Sequence, residues 1–426
     1  MTKANELIKK YGFRKAFEVA LQNNLLDVAK EIGAIEKRMF GTYRNAISST
    51  TQFPVCPNPL RIDTYNTCPF ACSYCFAGNT GKEITVAASV PRIRRVLDKV
   101  FNNGKLSGKE LSFATMVKNG WPIHVGGMND IMPPVEKHKK VFYNTLKKIS
   151  EYEHPTIVST KSHLPLHDDS YVDLFVDMRD NLVFQMSLIT MDNWQYLEKR
   201  VTRPHLRIKT LEKLCNAGIN CVVRAQPFMP QLVDEQIKLF KLYSEIGVKA
   251  VIVEGLKLKK ALPSKKTKYA IMRTFGVEID KELTVKRYSK SIYPIETKVK
   301  YHRILREVAH QNNLVYLVAD NNLRFMGDSP NCCGTDLINA KTNEYNITHL
   351  SYTNPDDFGF HNIRNIENDY FNLQIDYADF KPKKRNIRET LQHLYNDDEW
   401  IFKTYEHTYT DSNNDKHYRI KSQYRL

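Results

Sequence analysis

A chain of 426 residues, 42% of them apolar, is long enough to bury one large core or a core with a smaller domain. It has no run of about eighteen apolar residues, which excludes a membrane-spanning helix, and its formal charge of +16 favours polyanionic partners through counterion release. Nucleic acid or a phosphorylated substrate is therefore expected, with a lysine-rich surface that binds neither as the alternative. Eight cysteines are too few for a disulfide scaffold. MTKANELIKKYGFRK contains no apolar signal segment, so the expected compartment is the reducing cytoplasm.

Residues 1 to about 40 carry apolar side chains at helical spacing in ANELIKKYGFRKAFEVALQ and again in NNLLDVAKEIGAIEKRM, either side of an Asn-Asn break. This predicts two amphipathic helices in an N-terminal extension, residues 1–55. A packing role is the reading favoured over a helix-turn-helix reader of DNA, since no recognition helix stands out. From 56 to 340 the pattern becomes short apolar strand runs: RIDTY (61–65), PIHVGG (122–127), TIVSTKS (156–162), LVFQMSLIT (182–190), CVVRAQPF (221–228) and AVIVEGL (250–256). Amphipathic stretches such as PPVEKHKKVFYNTLKKISEYE and LRIKTLEKLCNAGI fall between them, and a further strand, NLVYLVAD (313–320), follows another helix. Near-continuous apolar strands alternating with helices imply parallel βα units, hence an α/β fold: a partial (β/α)6 TIM-type barrel rather than a doubly wound sheet. Residues 341–426, rich in Asn, Asp, Tyr and Lys, read as a small C-terminal accessory region. Its Lys383-Lys384-Arg385 run is either a phosphate contact or a solvated face.

The chemistry concentrates in TYNTCPFACSYCFAGN, where Cys68, Cys72 and Cys75 follow Cys-x3-Cys-x2-Cys spacing directly after the first strand. In βα architectures, chemistry sits at the C-terminal ends of strands. Thiolates select zinc, copper(I) or iron–sulfur clusters. Three without a local fourth leave a metal position open, unlike a closed structural site.

This loop, with Tyr74 before its third cysteine, resembles the cluster loop of the radical S-adenosylmethionine (SAM) superfamily. The resemblance implies a 4Fe–4S cluster on Cys68, Cys72 and Cys75, with SAM chelating the fourth iron and Tyr74 near the adenine. It also implies an electron donor such as flavodoxin or ferredoxin, and reductive cleavage of SAM to a 5′-deoxyadenosyl radical that abstracts hydrogen from substrate. Gly126 and Gly127 stand where the family's glycine motif meets the SAM amino group; small residues allow such approach. Within the superfamily, GGMNDIMPPVEKH, TIVSTKS, FQMSLIT and RIKTLEKLCNAGINCVVRAQPFMP resemble the spore photoproduct lyase branch, many of whose members are labelled DNA repair photolyase-like. That branch implies SAM carboxylate contacts at Lys161 and Ser187.

One departure is plain: the branch's hydrogen-donating cysteine would fall at or near Gly127, and HVGGMND has none. Lyase action on the spore photoproduct is therefore doubtful. Cys332 and Cys333, in the loop FMGDSPNCCGTD, are either replacement donors or small apolar fillers. Cys56, Cys215 and Cys221 read as structural. His124, Gln185, Arg224, Gln226 and Glu254 lie on strands that bound the expected site. Arg224 and Glu254, on consecutive strands, either pair with each other or hold SAM and substrate. The expected function is radical SAM chemistry on a nucleic-acid base or nucleotide-like substrate. The competing expectations are a peptide or small-metabolite substrate, or a nucleic-acid-binding protein with a structural or redox-sensing cluster.

Overall fold

The computed structural model describes residues 2–40, 42–43, 46–50, 55–75, 85–106, 109–258, 265–276, 290–291, 293–344, 346–360, 404–412 and 416–426. Lys383-Lys384-Arg385 lies outside them. At the N-terminus the expectation of two helices is corrected to three: Lys3–Tyr11, Phe13–Gln22 and Leu26–Phe40. The apolar period runs unbroken through Gly12, but that residue adopts φ +74° and donates its N–H to the Ile8 carbonyl, ending the first helix. Ala4, Ala16, Ala20 and Ala29 let the three helices pack closely around Ile32 and Ile35 in a small core of their own.

The main sheet contains β1 (Ile47–Ser49), β2 (Leu60–Ile62), β3 (Ile123–Val125), β4 (Thr156–Thr160), β5 (Leu182–Ser187), β6 (Asn220–Phe228) and β7 (Ala250–Gly255). A short antiparallel ribbon, β8 (Lys257–Leu258) with β9 (Lys290–Ser291), precedes the last sheet strand, β10 (Val315–Val318). The spatial order is β1-β2-β3-β4-β5-β6-β7-β10; every pairing is parallel except that of β1 with β2. The molecule is thus α/β with a partial TIM-type barrel. It has seven parallel strands, the six expected units and then β10 within the further strand expected at 313–320, and β1 starts the sheet ahead of residue 56.

Both faces of the sheet are covered. Outward-facing Val158, Phe184, Met186, Val223, Val251, Val253 and Tyr316 share a core with Phe142, Leu146, Leu211, Leu214, Phe240 and Leu305 from the flanking helices. Inward-facing Val183, Val222, Ala250, Ile252 and Leu317 pack on Ile338, with Cys332, Leu337 and Ala340 against them. The chain beyond β10 therefore folds back into the barrel and plugs part of its interior. Beyond the plug, β11 (Phe358–Phe360), β13 (Lys416–Ile420) and β12 (Tyr405–Thr410) form a small antiparallel sheet. Among the described residues, no helix is long and apolar enough to cross a membrane.

Candidate active site

The cysteine loop leaves the C-terminal end of β2, on the same side as the loops after β3, β4 and β5, because those strands are parallel. All three cysteines are free thiols; Cys68 is buried, while Cys72 and Cys75 are half-buried. The backbone at Phe70 and at Asp130 favours the ionised form of the Cys68 thiol. Burial dominates nonetheless, pushing Cys68 up to about 11 and Cys72 up to about 12. Each of these thiols lies close enough to its neighbours in the loop for their charges to interact. Among the described residues, no three His, Cys, Asp or Glu side chains are drawn together as a metal site. Ligand deprotonation and metal binding are coupled. By donor type and by sharing one turn, the loop fits a thiolate-ligated iron cluster.

Behind the loop is a buried charge network that sequence patterning missed. Glu198 and Arg207 are both fully buried. Arg207 donates through Nη2 to Glu198 Oε2 at 2.5 Å and through Nη1 to the Ser187 carbonyl at 2.6 Å. Lys161 Nζ lies 2.7 Å from Glu198 Oε1 and 2.8 Å from Tyr74 Oη, and the Tyr74 hydroxyl donates to the same carboxylate. Burial alone would raise Glu198, but Arg207, Lys161 and the Tyr74 hydroxyl bring it down to about 2. The ring of Tyr74 packs with Ile189, Leu197, Met229 and Leu256. Ser73 donates its N–H to the Leu197 carbonyl at 2.8 Å. One carboxylate thus ties the cysteine loop, the end of β4 and the end of β5 together, and Tyr74, Lys161 and Ser187 meet around it. Nothing in YLEKRVTRPHLR marks Glu198 or Arg207 as buried; they sit in a polar stretch without period.

Asp130 plays the matching part between β3 and β4. It accepts from the Lys161 N–H at 2.7 Å, Thr160 Oγ1 at 2.8 Å and the Met132 N–H at 2.9 Å. Gly126, at φ +95°, has no room for a side chain: a Cβ would stand 2.7 Å from Ile131 Cγ2 and from the Ser159 carbonyl. Gly127 leaves space for Arg61, whose Cδ and Nε would lie 3.0 Å from a Cβ there. The place where the family resemblance would put a thiol therefore faces a guanidinium.

Inside the barrel, polar side chains form a chain of hydrogen bonds. His124 Nε2 lies 2.7 Å from Ser159 Oγ, which donates to Gln185 Oε1 at 2.6 Å. Burial, then Arg224 and Arg61, hold His124 well below the usual imidazole range, so it is neutral. Arg224 donates to Gln185 Oε1 at 2.7 Å and to Gln226 Oε1 at 2.8 Å, while Glu254 is ion-paired with Lys257. The expected alternative of an Arg224–Glu254 pair is thus not what the side chains form: the register places a glutamine within reach of Arg224 and a lysine three residues from Glu254. Gln185 Nε2 donates to the Cys333 carbonyl at 2.7 Å, anchoring the plug. Cys332 and Cys333 face this interior with sulfurs 3.8 Å apart. The Cys333 S–H, with Arg324 and Arg224, lowers Cys332, while Cys333 is raised in turn. Cys56 lies within electrostatic reach of Cys332. Cys215 and Cys221 lie within electrostatic reach of each other, apart from this cluster.

No family model matches the chain. It is 27% identical over 187 residues to the uncharacterized protein MJ0683 of Methanocaldococcus jannaschii, a match covering 41% of this chain and 61% of that relative's length. Streptococcus suis SuiB bound to S-adenosylmethionine aligns at TM-score 0.41 and 16% identity, over 73% of this chain and 61% of SuiB. Spore photoproduct lyase complexed with dinucleoside spore photoproduct aligns at TM-score 0.48 and 14% identity, over 65% of this chain and 80% of the lyase. The cobalamin-dependent S-adenosylmethionine radical enzyme OxsB aligns at TM-score 0.38 and 12% identity, over 61% of this chain and 44% of OxsB.

Proposed function

We propose that this chain is a radical SAM enzyme acting on a nucleic-acid base or nucleotide-like substrate. The observation that carries the reading is the Cys68–Cys72–Cys75 turn at the end of the first parallel strand of a partial barrel, braced on its inner side by Glu198. Those three thiols would hold a 4Fe–4S cluster, which supplies the electron for reductive cleavage of SAM and so begins hydrogen-atom abstraction. The rest is positioning. Lys161 spends two of its three ammonium donors on Glu198 and Tyr74, leaving one to bind the SAM carboxylate beside Ser187. Gly126 brings backbone close to the site, and Asp130 holds the β3 loop against Lys161.

Spore photoproduct lyase activity is not part of the proposal, because Arg61 rather than a thiol lies beside Gly127. Cys332 or Cys333 would be the thiol that returns hydrogen inside the barrel, and an electron donor such as flavodoxin or ferredoxin would serve the cluster. The net charge supports a polyanionic or phosphorylated substrate. The test is anaerobic iron–sulfide reconstitution followed by SAM and dithionite. Release of 5′-deoxyadenosine, absent in Cys72→Ala, is expected. Iron retained without SAM cleavage, across candidate substrates, would leave only a structural cluster.

A further inference from the structure

The rim of the barrel carries an exposed aromatic and basic surface that the candidate active site does not use. The short helix Trp194–Leu197 follows β5, the helix Lys265–Phe275 follows β8, and the two pack against each other. Their inner faces are apolar: Ile271 and Leu197 are fully buried and share a cluster with the Tyr74 ring. The outer faces differ. Tyr196 is 42% exposed, Tyr269 57% and Met272 45%. Tyr269, Met272 and Arg273 stand at i, i+3 and i+4 and so share one face of their helix. The Arg273 guanidinium lies 5.7 Å from the centre of the Tyr196 ring, which joins that face to the shorter helix. Lys199 and Arg200 are exposed just beyond Tyr196. Among the described residues, none of Lys199, Arg200 and Arg273 has a carboxylate partner. Single exposed apolar side chains are ordinary, but several grouped with unpaired cations beside a site mark a contact surface.

We propose that this surface binds single-stranded nucleic acid, with bases stacking on Tyr196 and Tyr269 and phosphates meeting Arg273, Lys199 and Arg200. An aromatic ring accepts the face of any base that is free of its own stack, and cations beside the rings suit the phosphates between bases. The chain's charge of +16 has the same sign. The surface also adjoins the candidate site. Tyr196 and Glu198 are two positions apart, at most about 7 Å along the backbone, and Glu198 is the carboxylate that braces Tyr74 and Lys161. A strand held here lies beside the place proposed for SAM. This assignment rests on the nucleic-acid substrate proposed above and narrows it to a single strand or an unpaired segment.

The test is the anisotropy of a fluorescent single-stranded oligonucleotide titrated with the full chain at fixed low salt. Tyr196→Ala and Tyr269→Ala should each weaken binding roughly tenfold, whereas Tyr196→Phe and Tyr269→Phe, which keep the ring, should bind like the parent chain. Arg273→Gln should reduce the log–log salt slope by about 0.7. Tyr409→Ala removes a comparably exposed tyrosine, 47%, from the small antiparallel sheet and should leave binding unchanged. If an alanine variant fails to fold, nitration of Tyr196 and Tyr269 in the unmodified chain, read by peptide mass spectrometry, decides the matter: the oligonucleotide should protect both. Binding that survives both alanine substitutions, or nitration that the oligonucleotide does not slow, would overturn this surface and leave the nucleic-acid reading standing. No binding by the unmodified chain would overturn both, while 5′-deoxyadenosine release remains the separate measure of the enzyme reading.

Discussion

Glu198 has no solvent contact yet stays ionised, because Arg207, Lys161 and Tyr74 all donate to it. Its contribution to stability has a definite pH sign. A carboxylate lowered from its ordinary value of 4.5 to about 2 stabilises the fold above the unfolded value and loses that contribution as pH falls towards the folded one. The full effect is of order 3 kcal/mol. Glu198→Gln should therefore be destabilised near neutrality, and the gap from the parent chain, measured by urea unfolding, should narrow from about pH 6 towards pH 3. A constant gap would show that the carboxylate is not held ionised. Arg207→Met strips one partner from a fully buried pair and should cost about 3–5 kcal/mol in the same assay. Gly126→Ala should cost about 1–3 kcal/mol, since its φ is positive and both close neighbours are fixed in the core. Gly127→Ala should cost less, because only the flexible Arg61 side chain must yield. The glycine pair was legible in the sequence; which of the two is irreplaceable was not, because that depends on Ile131 and on the β4 backbone.

At the scale of elements, the parallel strands were readable because strands buried on both faces are written as short apolar runs, TIVST and LVFQMS among them. β1 was not, since Ile-Ser-Ser is too short to show alternation and gains its place only by pairing with β2. The plug was equally invisible: 332–340 reads as a loop, and its burial depends on an inner face of Val183, Val222, Ala250 and Leu317 assembled from four strands. Ile338→Ala should cost about 2–5 kcal/mol by chemical denaturation. Iron uptake at Cys68, Cys72 and Cys75 should be unaffected, because Cys68 and Cys72 pack in other clusters of the core. A destabilisation well under 1 kcal/mol would mean that the plug is not packed as described.

For the whole molecule, the charge of +16 was plain from composition, and its consequence is a salt dependence. Binding of a fluorescent oligonucleotide, followed by anisotropy, should weaken between about 50 and 200 mM salt with a log–log slope near −0.9 per phosphate neutralised in duplex DNA. A flat salt response, or no binding at low salt, would redirect the substrate reading to a peptide or small metabolite. The open parallel sheet sends the cysteine loop, Gly126, Lys161 and Ser187 to one rim, which brings together residues spread over more than a hundred positions.

By itself the sequence determined the α/β class, the order of the parallel strands and the three-thiol turn. These depend on covalent spacing and on periodic burial along one segment. Tertiary structure alone decided that Glu198 braces Tyr74 and Lys161, that Arg61 fills the space beside Gly127, and that Arg224 and Glu254 take different partners. It also decided that Cys332 packs on the inner face of the barrel and that the Cys333 carbonyl accepts from Gln185. Charges find partners through strand register and shared burial across distant parts of the chain, and neither leaves a mark on local pattern.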